Sequence, residues 1–422
     1  MSASMARRAL RWSGTTAAVA APAAAGVAWA AARALTAAPP PRVRTPTLRA
    51  RFLDHDTVEL VGDRADDPGT WGLRLEHGFV QVRDGTVLQT GVVRRPYRLL
   101  EGEVELPELS EDRRVGDRRA DEDRRGTPDP LRMLGRRRLR DRRREQIDPP
   151  WPIDATITPY AWPDDPQVLA RHVGAEFRID GVRSGGHVLP TWLLLPPNPR
   201  DTWMVAVHGR SSSRTELFRL AETALKARVP VLVASYRTDA WTAAPPPITT
   251  LGTTEWRDVE ANVAAALAGG AKQVVLAGCS LGGGLVAQVV RRSRLAPWVA
   301  GVVLDSPALS WTRILRHLAT ENRLPTFMVP AVMGAARLRA RIDWDAIDHL
   351  TAVDEFGQPV LLLHGEEDDV VPVWTSQAFA AARPDLVTLE VFPDADHVTS
   401  WNHAPMRYQR AVRRFLSRVA AD

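Results

Sequence analysis

The stretch Val274-Val275-Leu276-Ala277-Gly278-Cys279-Ser280-Leu281-Gly282 decides the fold of this chain. Its first four residues are apolar and predict a buried strand, and the residues after Ser280 predict a helix. Between them, residues 278–282 fit the pattern G-x-S-x-G, in which a strained turn exposes the serine hydroxyl between a strand and a helix. Glycines are required on both sides of Ser280, because side chains there would collide across so tight a turn.

The same glycines raise a rival interpretation, a phosphate-binding loop. They do not spell G-x-G-x-x-G, and no Gly-Lys-Ser/Thr sequence follows them. A helix that begins after Ser280 directs the positive end of its dipole at the serine and favours negative charge there. We therefore interpret Ser280 as a candidate nucleophile and the backbone N–H of Leu281 as a candidate oxyanion donor.

Strands and helices alternate from about residue 202 to the end of the chain. Strands are predicted at 204–207, 231–234, 273–277, 301–304, 360–363 and 388–391. Helices are predicted at 255–267, 283–291, 375–382 and 405–419. Most of these strands are continuous apolar runs, which is typical of a parallel sheet covered by helices on both faces. Residues 308–357 form a longer segment than one crossover between parallel strands requires. We predict that they form a mostly helical lid.

The segment His364-Gly365-Glu366-Glu367-Asp368-Asp369-Val370-Val371-Pro372 follows one of these strands. Its pattern, H-G-x-x-D-x-x-V-P, resembles the α/β-hydrolase superfamily, in particular its serine esterases and its serine peptidases of the aminopeptidase and prolyl-oligopeptidase-like groups. The resemblance covers about residues 203–420. It implies an α/β fold, a doubly wound and mostly parallel sheet with a helical lid. It also implies that Asp368 orients a catalytic imidazole, with Asp369 as the rival.

The catalytic histidine of this superfamily follows the next strand, where residues 394–397 read Asp-Ala-Asp-His. The resemblance implies that His397 is the base, although the preceding aspartate stands where the family often has a small residue. His403 is the competitor and lies near the start of the last predicted helix. The chain order Ser280, Asp368, His397 is the order expected of this fold.

A His-Gly-Arg-Ser turn at residues 208–211 follows the first strand of the predicted parallel sheet. In the superfamily such a turn supplies the second oxyanion N–H, which by position belongs to Arg210, with Ser211 as the alternative. Two donors are needed because negative charge develops on the tetrahedral oxygen, and losing one costs about 3 kcal/mol of barrier. We assign His208 a structural role.

The chemistry implied by these residues is acyl transfer through an acyl-enzyme, without a metal or cofactor. The fold hosts many reactions and does not fix the substrate. We expect a carboxylic ester hydrolase; a serine peptidase acting on short peptides is the alternative. A non-catalytic binding protein on the same scaffold is a further alternative, against which the complete triad argues. Apolar residues of the lid are candidates for an acyl pocket: Trp311, Leu315, Leu318, Phe327, Met328, Val332 and Met333.

Residues 1–41 have the composition of an export signal or a membrane anchor. Arg7, Arg8 and Arg11 precede a run from Trp12 to Ala32 that has no charged residue, and prolines at 39–41 close it. The run is about long enough to span a bilayer, which takes roughly 20 residues. We predict an exported or membrane-anchored protein that associates with a membrane through this segment; a cytoplasmic protein is the alternative.

Three further regions lie between this segment and the predicted catalytic domain at 201–422. Residues 42–110 alternate like strands with turn signals between them and predict a small β-rich module. Residues 111–147 are dense in Arg, Asp and Glu with few large apolar residues, which predicts a disordered insertion. A solvated linker is the preferred interpretation there, over a contact with anionic lipid or nucleic acid. Residues 148–200 are expected to complete the module and to supply the first strands of the sheet.

Composition limits which partners, disulfides and metal sites this chain can have. The chain has 422 residues, 45% of them hydrophobic, which allows a sizeable core. Its 55 basic and 50 acidic residues leave a net charge of only +5, so no nucleic-acid partner is expected. The single cysteine, Cys279, excludes an intramolecular disulfide and any zinc site built from two or more cysteines.

Overall fold

The structure is a computed structural model. It describes residues 25–37, 47–54, 57–62, 65, 69–75, 78–87, 92–102, 153–160, 162–239, 242 and 248–420. The Arg-rich insertion predicted at 111–147 and most of the N-terminal apolar run lie outside these residues, as do the prolines that close it.

The N-terminal half contains a small closed β-barrel. Its strands are β1 (Thr47–Asp54), β2 (Thr57–Gly62), β3 (Trp71–Leu75), β4 (Gly78–Val87), β5 (Val92–Gly102) and β6 (Ile153–Thr158). They pair in the order β1-β2-β5-β4-β3-β6, and β6 closes the barrel by pairing antiparallel with both β1 and β3. Alternate residues such as Leu48 and Ala50, or Val58 and Leu60, fill the interior, since side chains of a strand point to opposite faces in turn.

The large sheet has eight strands. They are β7 (Glu176–Ser184), β8 (His187–Leu195), β9 (Thr202–Val207), β10 (Val231–Ala234), β11 (Gln273–Cys279), β12 (Val299–Asp305), β13 (Val360–Gly365) and β14 (Val387–Phe392). Their order is β14-β13-β12-β11-β9-β10-β8-β7. All neighbours from β14 to β10 are parallel, whereas β8 is antiparallel to both β10 and β7.

The helices flank this sheet. They are α1 (25–36), α2 (Pro166–Val173), α3 (Phe218–Lys226), α4 (Trp256–Ala268), α5 (Leu281–Arg292), α6 (Trp311–Glu321), α7 (Val329–Ala340), α8 (Trp374–Ala382), α9 (Ser400–His403) and α10 (Pro405–Val419). Within the described ranges, no helix is both long and apolar enough to cross a membrane.

The core lies on both faces of the large sheet. Along β11, Val274 and Leu276 belong to one buried apolar cluster, and Val275 and Ala277 belong to the other. This alternation explains why the strand is apolar at every position, and it confirms the predicted doubly wound sheet. The carboxyl ends of the parallel strands therefore meet at one edge, where loops carry the polar residues.

The elements differ from the sequence-based expectations in two places. Helix α2 lies in a region that we expected to be β-rich, and α3 was not predicted at all. Both helices are short, and tertiary packing stabilises such helices more than intrinsic propensity does. Within the predicted lid, α6 and α7 are present, but the side chain of Phe327 is 79% exposed and does not line a buried pocket. The domain boundaries given above remain predictions.

Candidate active site

The turn between β11 and α5 holds Ser280 in a strained backbone conformation. Its φ of 50° and ψ of −119° are unusual for a residue with a side chain, and such strain costs about 1–3 kcal/mol. A Cβ at Gly278 would lie 2.5 Å from the carbonyl oxygen of Gly282, and one at Gly282 would lie 2.2 Å from that of Val207. The expectation that only glycine fits on either side of Ser280 is therefore confirmed.

Three strand ends bring Ser280, His397 and Asp368 together. The Oγ of Ser280 lies 3.0 Å from Nε2 of His397, to which it donates its hydrogen. Nδ1 of His397 donates to Asp368, at 2.8 Å from Oδ2 and 3.0 Å from Oδ1. The loops that follow β11, β13 and β14 supply these residues in the predicted order.

Asp368 is held as an anion by its surroundings. It is 5% exposed, and Oδ1 accepts the backbone N–H groups of Val370 at 3.0 Å and Val371 at 2.7 Å. Burial opposes its ionisation, but the charge of His397 and hydrogen bonds from His364 and His397 prevail and lower the pKa of Asp368. The carboxylate is therefore available to orient and stabilise an imidazolium.

His364 is a supporting residue to which sequence reasoning gave no role, although it opens the quoted H-G-x-x-D pattern. It is buried, and its Nε2 donates to the carbonyl oxygen of Val371 at 2.9 Å and lies 3.2 Å from Oδ2 of Asp368. Its Nδ1 accepts a hydrogen bond from Oγ of Ser376 at 2.7 Å. His364 thus fixes the loop that presents Asp368.

The environment of His397 favours its protonated form. Burial alone would lower the pKa of His397, but the charge and hydrogen bond of Asp368 raise it above the ordinary value of 6.5. Glu216 and Asp396 add to this rise. An imidazole of raised pKa is a stronger base toward a hydroxyl, provided that the pH is high enough to leave it neutral.

The His-Gly turn lies against the candidate nucleophile. A Cβ at Gly209 would lie 3.1 Å from Cβ of Ser280, and the Gly209 N–H donates to Oε2 of Glu216 at 2.9 Å. Ser211 has a φ of 61°, which marks a tight turn directly after Arg210. The structure therefore places Gly209, the residue before Arg210, against the serine, and Leu281 begins the helix that follows the serine.

His208 is buried beneath this turn. Its Nδ1 faces the carbonyl oxygen of Gly209 at 2.8 Å and its Nε2 faces Oδ2 of Asp239 at 3.1 Å. Both partners only accept hydrogen bonds, so both ring nitrogens must donate. Burial would lower the pKa of His208, but the charge and hydrogen bond of Asp239 raise it. The geometry agrees with the structural role that we assigned to His208.

The competing candidates, His403 and Asp369, do not take the places of His397 and Asp368 in the triad. His403 ends the short helix α9, and its neighbour Asn402 binds the barrel, where its Nδ2 donates to the carbonyl oxygen of Thr70 at 2.8 Å. Asp369 is not the partner of His397; burial and a hydrogen bond with Asp396 raise the pKa of Asp369.

One acidic cluster near the triad has the spacing of a metal site. In the described part of the chain, Asp368, Asp369 and Asp396 are the one group of three whose ligand atoms could hold a metal ion, since they lie within 4.8 Å of one another. The carboxylate of Asp368 is already hydrogen-bonded to His397.

The last residue of β12 and the residue after it support both catalytic loops. The carbonyl oxygen of Asp305 accepts the Ser280 N–H at 3.0 Å, and Oγ of Ser306 accepts the N–H of Val398 at 3.3 Å. The Asp305 side chain is fully buried, where it accepts the hydroxyl of Tyr408 at 2.8 Å and lies 3.7 Å from Arg219. These contacts fix the floor beneath Ser280 and His397.

Comparison with known proteins gives matches of several kinds. Residues 248–422 match the model of the prolyl oligopeptidase family. A stretch of 119 residues is 24% identical to the uncharacterized protein YqkD of Bacillus subtilis (strain 168), and it covers 28% of this chain and 39% of that protein. The match thus spans about two fifths of the length of this curated relative.

Two solved structures are also similar. The esterase Pf2001 of Pyrococcus furiosus is 22% identical with a TM-score of 0.48, over 60% of this chain and 94% of that one. Est1E of Butyrivibrio proteoclasticus is 20% identical with a TM-score of 0.44, over 59% and 99%.

The family match and the architecture converge on one assignment. The matched residues 248–422 include Ser280, Asp368 and His397. They also include the strand–turn–helix element and the four parallel strands β11 to β14. Residues 248–422 thus match this family and carry the arrangement of a serine hydrolase within an α/β-hydrolase fold.

Proposed function

We propose that this enzyme hydrolyses carboxylic esters, with Ser280 as nucleophile, His397 as base and Asp368 as the acidic member of the triad, whose carboxylate orients the imidazole. The observation that supports these roles is the continuous hydrogen-bond path from the serine hydroxyl through the imidazole to the carboxylate, at 3.0 and 2.8 Å. Such a path lets the imidazole accept a proton while the carboxylate stabilises the resulting charge.

Catalysis then has two halves. His397 takes the Ser280 proton as Oγ attacks the ester carbonyl, and it returns that proton to the leaving alcohol as the tetrahedral intermediate collapses. A water molecule next attacks the acyl-enzyme with His397 again as base, and the acid product leaves. In both halves the N–H groups of Leu281 and Arg210 hold the oxyanion.

The ester preference rests on the apolar character of the lid. Leu315, Leu318, Val332 and Met333 are partly buried and pack against the core cluster that also contains Leu281, the residue after the nucleophile. Apolar side chains of a lid suit the acyl chain of an ester. The match to the prolyl oligopeptidase family favours the second candidate, a serine peptidase acting on short peptides.

The location of the enzyme is also a proposal. We propose export or membrane anchoring through the N-terminal segment, on the basis of its arginines and the uncharged run from Trp12 to Ala32.

Labelling with a fluorophosphonate probe tests the nucleophile. We expect the full-length protein and a Ser293→Ala control to be labelled, since Ser293 lies at the opposite end of α5, and Ser280→Ala to lose all labelling. A folded parent that takes no probe would contradict the triad and favour a binding scaffold. Parallel assays with short aryl esters and aminoacyl anilides distinguish the two substrate classes by kcat/KM.

A further inference from the structure

The N-terminal helix α1 is part of the catalytic domain's packing. Ala28, Ala32 and Thr36 follow one another at intervals of four, which places them on one helix face, and they are 3%, 0% and 0% exposed. Ala32 belongs to the same apolar cluster as Leu281. The chain beyond the helix continues this contact, because Ala37 forms a β-bridge with Ile248.

The side chain of Arg210 binds the carboxyl end of α1. Its Nη2 donates to the carbonyl oxygens of Leu35 and Ala37, both at 3.0 Å, and lies 3.4 Å from that of Ala34. The last carbonyl groups of a helix have no N–H partner within the helix, and they lie at the negative end of its dipole. A guanidinium with several donors is well suited to bind them.

The backbone of the same arginine belongs to the turn beside the nucleophile. On one side, the turn is held by the domain's own residues: Tyr236 donates its hydroxyl to the Gly209 carbonyl at 3.0 Å, and Glu216 accepts the Gly209 N–H. On the other side, the contacts of Arg210 hold it to α1. The direction of the Arg210 N–H is therefore fixed between two anchors.

We propose that Arg210 is a positioning residue that ties α1 to the oxyanion turn, and that the working enzyme retains residues 25–37. This inference rests on the proposed function, in which the Arg210 N–H stabilises the oxyanion. It also bears on the fate of the N-terminal segment. Cleavage after Ala37, where small residues suit a signal peptidase, would remove every carbonyl that Arg210 binds. Residues 25–37 are therefore retained in the working enzyme and are not part of a discarded leader.

Substitutions in the full-length chain test the role of Arg210. We expect Arg210→Ala to lower kcat for a short aryl ester by roughly 10- to 100-fold with little change in KM, somewhat less than the loss of a whole oxyanion donor. Arg210→Lys should recover part of that loss. Arg339→Ala is the matched control, because Nε of Arg339 binds α1 through Oγ1 of Thr36 at 3.0 Å but belongs to the lid. It should lower Tm without lowering kcat.

A second measurement avoids variants that fail to fold. A protease site inserted after Pro41 allows α1 to be cut from the folded enzyme and removed, and we expect kcat to fall as the helix leaves. An unchanged kcat in Arg210→Ala or after helix removal would overturn the inference while leaving the esterase in place. A protein that is recovered from cells beginning after Ala37 and is fully active would also overturn the inference and leave the esterase in place. A parent that takes no probe and cleaves no ester would overturn both proposals.

Discussion

Two histidine–aspartate pairs lie in the loops around Ser280, and they differ in what the second ring nitrogen faces. His397 binds Asp368 through Nδ1 and faces the serine hydroxyl through Nε2. His208 binds Asp239 through Nε2 and faces a carbonyl oxygen through Nδ1. In both pairs the carboxylate raises the pKa of the histidine.

The difference determines what each pair can do. A hydroxyl both donates and accepts, so His397 can take a proton from Ser280 and return it. A carbonyl oxygen only accepts, so loss of a proton from His208 breaks one of its two hydrogen bonds. A raised pKa therefore does not identify a catalytic histidine, and the partner of the second nitrogen does. Variants of the two pairs should separate turnover from stability.

The largest effect is expected for Asp368→Asn. The amide cannot stabilise an imidazolium and favours the wrong tautomer of His397, so kcat should fall by about 10⁴-fold with the fold intact. Steady-state kinetics measure this loss. Asp369→Asn is the matched control, because Asp369 interacts with Asp396 and not with the imidazole nitrogens. An equal loss of kcat in this control would contradict the assignment of the triad carboxylate to Asp368.

The same variants make a prediction for pH. In the parent, kcat/KM should rise with pH through the pKa of His397, which lies above 6.5, because only the neutral imidazole accepts the serine proton. Asp368→Asn removes the charge that raises this pKa, so its residual activity should rise at a lower pH. A pH profile that is the same in both proteins would contradict the assignment.

His208→Gln should act mainly on stability. It leaves the buried carboxylate of Asp239 without its closest cation, and breaking such a pair costs about 3 kcal/mol of unfolding free energy. Because folding raises the pKa of His208, its stabilisation is complete below pH 6.5 and is lost as pH rises through the folded pKa. Urea denaturation at several pH values measures this. If the difference in unfolding free energy between parent and variant did not shrink with rising pH, that result would contradict a protonated His208 in the folded protein.

The smallest effect is expected for Glu216→Gln. Glu216 acts on both histidine–aspartate pairs, because its charge raises the pKa of both histidines. Gln retains an oxygen to accept the Gly209 N–H but removes a charge that raises the pKa of both histidines. The rise of kcat/KM with pH should move to slightly lower pH, while the maximal rate is retained. A large loss of kcat would instead show that Glu216 does more than hold the turn.

Much of this architecture was accessible from the sequence, because it depends on local patterns. Continuous apolar runs predicted the parallel strands, and the six strands so predicted are present. The glycines around Ser280 and the acid and histidine after later strands predicted residues that the fold brings together. The contact of Arg210 with α1 escaped prediction, since it depends on packing between distant parts of the chain. The helix α2 and the supporting role of His364 also escaped prediction, although Asp165 and Gly174 cap that helix locally and the partners of His364 lie within 12 residues of it.

Glycine is required at 282 by a neighbouring strand end, since a Cβ there would meet the carbonyl oxygens of Val207 and His208. The sequence by itself determined the turn at Ser280, where a Cβ at 278 would meet the carbonyl oxygen of Gly282 within the same turn. It also determined which strand ends carry Asp368 and His397. Only the tertiary structure decided between Asp368 and Asp369, because adjacent residues of one loop are told apart by which side chain reaches His397. It likewise decided that His397 rather than His403 faces the serine. The reason is physical: local patterns specify backbone conformation, whereas the partner of a polar side chain is set by the three-dimensional packing around it.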